Sequence, residues 1–272
     1  MEKSGHDFFK MALEKIKTNN YDEAIAVCDK KIAEKYPVYS ITHSNSFEIS
    51  EWEFFDDISN CEKSVGKSND CYKGYYAMSI LFKIAGNNDR RLLYLQKAMK
   101  INNTVNRIWR DFGETSFQLG NIRDALQKFQ EAIAIDQNDS ISFEGVGLCY
   151  YYLDEPFKSL TPLKRALDID PDNHAVMNNL SFILSEIGDI DEAHDLIKKA
   201  LELQETNNVY LDTYASILFL QEKYDEALQI FEKILDNNPK DWEISWDILT
   251  SIYNNLGLHV KAKMVEEKLH LK

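Results

Sequence analysis

The side chains able to do covalent or metal chemistry in this 272-residue sequence are scattered at spacings that chemistry does not use. Gly66-Lys67-Ser68 has the letters that close a phosphate loop, where backbone amides cradle phosphates and the lysine reaches them. That loop needs a glycine five residues before Gly66, and Cys61 stands there. His43, Cys61 and Cys71 are metal-ligating types, but zinc sites draw on closely spaced pairs, and these three form none. The histidines, from His6 to His270, fall at unrelated positions with no HExxH, and no GxSxG elbow exists for a serine nucleophile. The many carboxylates read as solvated helix faces paired with lysines three or four residues away. No catalytic residue, no metal ligand and no cofactor is assigned, so the expectation is a protein that is not an enzyme. A metal-dependent enzyme built on residues 39–71 is kept as a remote alternative.

Charge narrows the partners further. A formal charge of −14 and a pI near 4.9 repel phosphate backbones and anionic lipid, so neither nucleic acid nor a membrane is expected as a partner. The opening Met1-Glu2-Lys3-Ser4-Gly5-His6-Asp7 has no apolar core of signal-peptide length, and no later stretch approaches a membrane span. A cytoplasmic location is expected. Cys28, Cys61, Cys71 and Cys149 show no CxxC and are expected to be buried free thiols.

What organises the chain is a period. Trp109, Gly113, Ala125, Phe129 and Ala132 are followed 34 residues later (147 − 113 = 34) by Phe143, Gly147, Ser159, Leu163 and Ala166. Self-similarity at this spacing means stacked supersecondary units that bury their apolar faces against one another. Blocks at 72–105, 106–139, 140–173, 174–207, 208–241 and 243–272 each read as helix, tight turn, helix. Their turns hold Gly86, Gly120, Gly188 and Gly257, with Asp154 and Glu222 as departures. Second helices open at Asn87, Asn121 and Asp189, which are good N-caps, and Asp189 with Glu192 has capping-box spacing. Pro171 and Pro239 stop second helices.

Small residues at Ser79, Gly113, Gly147, Ser181 and Ala215 face Ala125, Ser159, Ala193 and Ala227, letting paired backbones approach. Leu95, Phe129, Leu163, Ile197 and Phe231 form a large-residue column on the second helices, and Trp109, Phe143, Met177, Leu211 and Trp246 one on the first. Lys128 and Lys198, on second helices, read as outward-facing. In the last block Glu266 replaces the large residue, with Val260, Met264 and Leu269 as an apolar stripe. That pattern suits the wettable end of an array.

Residues 5–38 fit the same period, with Asn20 and Glu23 spaced as a capping box. Residues 39–71 do not fit it and form an irregular insert or degenerate repeat, in which Ile49, Trp52, Phe55 and Ile58 share a helical face over about 48–59.

Trp109-Arg110-Asp111-Phe112-Gly113 with Gly120, Ala125, Phe129 and Ala132 resembles the tetratricopeptide repeat. Leu211-Asp212-Thr213-Tyr214-Ala215 with Tyr224, Ala227, Phe231 and Pro239 is a second close copy. The resemblance covers 5–38 and 72–272. It implies an all-α, right-handed α-solenoid of antiparallel helix pairs whose first helices line a concave groove where peptides bind. On that analogy the groove residues are Lys73, Lys83, Arg107, Arg110, Glu144, Tyr151, Asn178, Phe182, Asp212 and Phe219.

The implied function is a non-catalytic scaffold or adaptor holding an extended peptide or helix of another protein, with Tyr151, Phe182 and Phe219 as anchors. A peptide-sensing regulator that switches an effector surface is the alternative. The acidic-tail clamp of some members is not reproduced, because Glu114 and Glu144 stand where a clamp needs neutral or basic residues. A competing reading pairs Arg107 and Arg110 with those two glutamates.

Overall fold

The structure, a computed structural model, describes residues 2–35, 61, 63–65, 71–237, 239–240 and 244–270. The 48–59 helix, Trp52 and His43 therefore lie outside the described residues. Among the described residues all regular structure is helical. Two compact units are present, Met1–Leu153 and Asp154–Lys272.

The first unit holds α1 (Glu2–Lys17), α2 (Tyr21–Lys35), α3 (Cys71–Ala85), α4 (Asn88–Ile101), α5 (Asn106–Gln118), α6 (Ile122–Ile135) and α7 (Ser140–Tyr152). The second holds α8 (Pro156–Ile169), α9 (His174–Glu186), α10 (Ile190–Leu203), α11 (Asn208–Leu220), α12 (Tyr224–Asp236), α13 (Trp246–Asn255) and α14 (His259–His270). Within each unit sequential helices pack on one another, and first helices also touch across pairs, as α5 with α7 and α9 with α11. Two layers result. Inner helices such as α9 bury Ala175, Val176, Met177, Leu180, Ser181, Ile183 and Leu184, whereas outer α10 buries Ala193, Ile197 and Ala200.

The periodic columns explain the burial. Leu95, Phe129, Leu163, Ile197 and Phe231 are all fully buried, and so are Ala125, Ser159, Ala193 and Ala227. In the first unit the closest approach is made by glycine. A Cβ on Gly145 would stand 2.5 Å from the Phe129 ring, and one on Gly113 would stand 2.9 Å from it. The ring thus lies against the backbones of both α5 and α7. Gly145 is a position the 34-residue register did not single out.

The turns bear out the backbone geometry read from their glycines: Gly86, Gly120, Gly188 and Gly257 all take positive φ, between 71 and 91°. Asp154 and Glu222 adopt the same left-handed conformation, at 63 and 60°, without glycine's freedom. At Glu222 the turn is closed by Glu222 N–H donating to Phe219 O and Lys223 N–H to Leu218 O, each at 2.9 Å, so the strain is held by the helix end. Glu222→Gly should stabilise the second unit by about 0.5–1 kcal/mol, relief of the left-handed penalty exceeding the entropy glycine adds to the unfolded chain. Urea denaturation measures this, and a loss of stability would contradict it.

Capping differs in detail from the sequence reading. Asn87 accepts from Arg90 N–H, but Asn121 and Asp189, although at the N-cap, make no side-chain cap bond. Glu192 is engaged by Lys164 from α8. The first helices are the better capped, by Asp139, Asn173 and Asn207. At the last helix Val260 and Met264 are exposed, and it is Ala262 that packs inward.

Candidate partner-binding faces

The inner helices of the first unit carry a network of buried charge. Glu114, on α5, accepts from Lys83 Nζ at 2.8 Å on both oxygens and from Arg91 Nη2 at 2.7 Å, joining α3, α4 and α5. Arg91 is 1% exposed, so these charges are held away from water. Burial pushes the Glu114 carboxyl up, but Lys83 and Arg91 outweigh it and hold the group down at about 2. One position along the inner face, the Tyr76 hydroxyl donates to Asp111 Oδ2 at 2.6 Å. Burial and the Asp111 charge raise the phenol well above its ordinary value.

Each cation read as a groove residue has a partner within the chain. Lys73 meets Asp22 at 3.0 Å, and Lys83 meets Glu114. Arg107 grips Asp29 on α2 through both terminal nitrogens and lies over the Tyr76 ring at 5.5 Å. Arg110 reaches Asp139 at 3.4 Å and Asp111 at 3.8 Å. For Arg107 and Glu114 the partners differ from the competing reading: Arg107 takes Asp29 rather than a glutamate of the next helix, and Glu114 serves Lys83 and Arg91. Glu144 is buried. Tyr151 is half-buried, its ring edge-on to Tyr152 at 5.6 Å, and Tyr152 in turn is edge-on to Phe117 at 5.2 Å.

The second unit presents a different inner face. Phe182, on α9, keeps 40% of its surface exposed on a helix otherwise almost wholly covered. Asn178, one turn before it, is buried with its Oδ1 lacking any hydrogen-bond partner. On α11, Asp212 accepts from Ser245 N–H and from the Ser245 hydroxyl, both at 2.7 Å. Burial raises its pKa against those two bonds. Phe219 is half-buried, with its ring 5.7 Å from Tyr224. Of the two lysines read as outward-facing, Lys198 is exposed. Lys128 instead packs over Trp109 and Phe112, at 5.5 and 5.4 Å, beside Asp124.

Among the described residues no group of three or more histidines, cysteines or carboxylates is disposed to hold a metal. Cys28, Cys61, Cys71 and Cys149 are free thiols, with Cys71 only partly buried. Burial pushes the Cys28 and Cys149 thiols up to about 12. Nor is any described helix long and apolar enough to cross a membrane.

Residues 152–248 match a family model described as tetratricopeptide repeat. Over that stretch the chain matches the tetratricopeptide repeat. The helix pairs are similar to those of solved structures. These include PilW, a type IV pilus biogenesis factor (TM-score 0.65, 17% identity, 75% of this chain and 94% of that one), and Pseudomonas aeruginosa PilF (TM-score 0.61, 13% identity, 89% and 95%). YrrB, described as a tetratricopeptide repeat protein with an unusual peptide-binding site, aligns with a TM-score of 0.54 at 17% identity over 66% of this chain and 93% of its own. Among curated proteins the BBSome complex member BBS4 of Bos taurus is 23% identical over 192 residues, 68% of this chain. The chain spans 37% of that relative's length. At these identities the solved structures establish the tetratricopeptide fold alone.

Proposed function

We propose that this tetratricopeptide repeat protein is a non-catalytic interaction module that holds an extended segment or helix of another protein against its first helices. The observation that carries the reading is Phe182 on α9, a large ring 40% exposed on a helix whose other apolar side chains are covered. An exposed aromatic anchor is where an interface concentrates its energy. Phe219 and Asp212 extend this face on α11. In the first unit Tyr151 plays the anchoring part, and Lys73 and Arg107, the more exposed of the paired cations, set the charge of the surface beside it. Membership of a protein complex by the relative BBS4 points the same way.

Capture of partners from the native host on the immobilised chain, followed by dissociation kinetics, tests the reading. Phe182→Ala should speed dissociation by roughly tenfold or more, the loss of one anchor of about 2 kcal/mol, with association nearly unchanged. Lys198→Glu on α10 should leave binding intact. If the lysine change abolishes capture and Phe182→Ala does not, the inner-face assignment is wrong. Arg107 and Arg110 are unsuitable probes, because reversing either would set a carboxylate against its own Asp29 or Asp139.

A further inference from the structure

The outward side of α8 departs from its neighbours in both charge and polarity. In the 34-residue register the exposed position near the start of each second helix is Arg123, Phe157, Asp191 and Asp225 in successive repeats (157 − 123 = 34, 191 − 157 = 34, 225 − 191 = 34). Phe157 is 72% exposed, in a column otherwise filled by charge. Thr161, Lys164 and Arg165 follow at i+4, i+7 and i+8 and so share its face, and Lys158 flanks it.

The next two outer helices are net acidic, with Asp191, Glu192, Asp195 and Glu202 against Lys198 and Lys199 on α10, and Asp225, Glu226, Glu232 and Asp236 against Lys233 on α12. Helix α8 sets Lys158, Lys164 and Arg165 against Asp168 alone. The three cations meet Glu155 at 2.5 Å, Glu192 at 2.8 Å and Asp168 at 3.9 Å, with side chains 65, 48 and 46% exposed. Surface pairs of this kind hold so weakly that an incoming carboxylate can replace any of the three acids.

We infer that this face of α8, with Phe157 as its knob and Lys158, Lys164 and Arg165 around it, docks an acidic amphipathic helix of a partner protein. The match is one of charge and shape. A ridge at helical spacing fits the groove of a second helix, and glutamates flanking that helix's apolar stripe would meet the three cations while the stripe covers the phenyl ring. A protein segment is favoured over an anionic bilayer because a charge of −14 is repelled by an extended negative plane. A single helix feels only charges within about 8 Å at physiological salt. The site is independent of the inner faces, and either can fail without the other.

The test uses the full chain and a synthetic helical peptide with a leucine stripe flanked by glutamates, followed by amide-shift mapping and titration at low and physiological salt. The peptide should shift α8 amides. Lys164→Glu with Arg165→Glu should weaken it by about tenfold or more and flatten its salt dependence. Phe157→Ala should weaken it about fivefold and leave the salt dependence in place. Thr161→Glu, which puts a carboxylate mid-face without removing a contact, should weaken it as well, and Lys263→Glu on α14 should not. Equal binding of the same peptide with lysines for glutamates, or shifts confined to other helices, overturns the proposal. Vesicles of phosphatidylserine and phosphatidylcholine binding through α8 where the peptide does not would overturn it in favour of a lipid surface.

Discussion

Glu114→Ala costs about 3–5 kcal/mol of the first unit's stability, because it removes the carboxylate that the fully buried Arg91 and the mostly buried Lys83 both hold. Few single changes outside a core do as much. Replacing all three of Lys83, Arg91 and Glu114 by apolar residues of similar size should recover most of the loss, since what is costly is keeping the cations buried once the Glu114 carboxylate is gone. The effect has a pH signature. The Glu114 carboxyl is depressed from 4.5 to about 2 by folding, so its contribution is complete above about pH 4.5 and is lost as pH falls through about 2. Wild type and Glu114→Gln should therefore differ most at neutral pH and converge as pH drops from about 4.5 to about 2. Urea midpoints read over that range measure it, and a constant gap would show that Glu114 is not the titrating group.

Phe129→Ala is the other large effect, about 3–5 kcal/mol, from emptying the space between α5, α6 and α7. Its size follows from the two glycines. The Gly113 and Gly145 backbones are fixed by their own helices, so the site cannot collapse onto the lost ring. The converse change, Gly145→Ala, places a methyl 2.5 Å from the ring and should cost about 1–3 kcal/mol by overpacking. Made together, the two substitutions should cost clearly less than their sum, because the new methyl occupies part of the cavity. Additive losses in denaturant titrations would show that the contact does not exist.

The register of the fold was legible because it repeats. Leu95, Phe129, Leu163, Ile197 and Phe231 recur at one spacing and all prove fully buried. The left-handed turns can be read from four glycines, and Asp154 and Glu222 stand out by type at the same place in the repeat, where both take positive φ. The charge partners were not legible in the same way. Arg107 and Asp29 are 78 residues apart and Lys83 and Glu114 are 31 apart, so their meeting depends on which helix lies beside which, and no local pattern encodes that.

Lys128 was misjudged for a related reason. Its charge suggested the surface, but its aliphatic stem lies over Trp109 and Phe112. Asn178 could be named from its repeat position. Its unbonded oxygen could not, since satisfaction is a property of neighbours.

Hydrogen exchange of the chain with and without its captured partner tests the interaction account most directly. The account predicts new protection on α9 and α11, centred on Asn178–Phe182 and Asp212–Phe219, with the outer helices α10 and α12 unchanged. Protection confined to α10, α12 or the turns between them, with α9 and α11 exchanging as in the free chain, would contradict it.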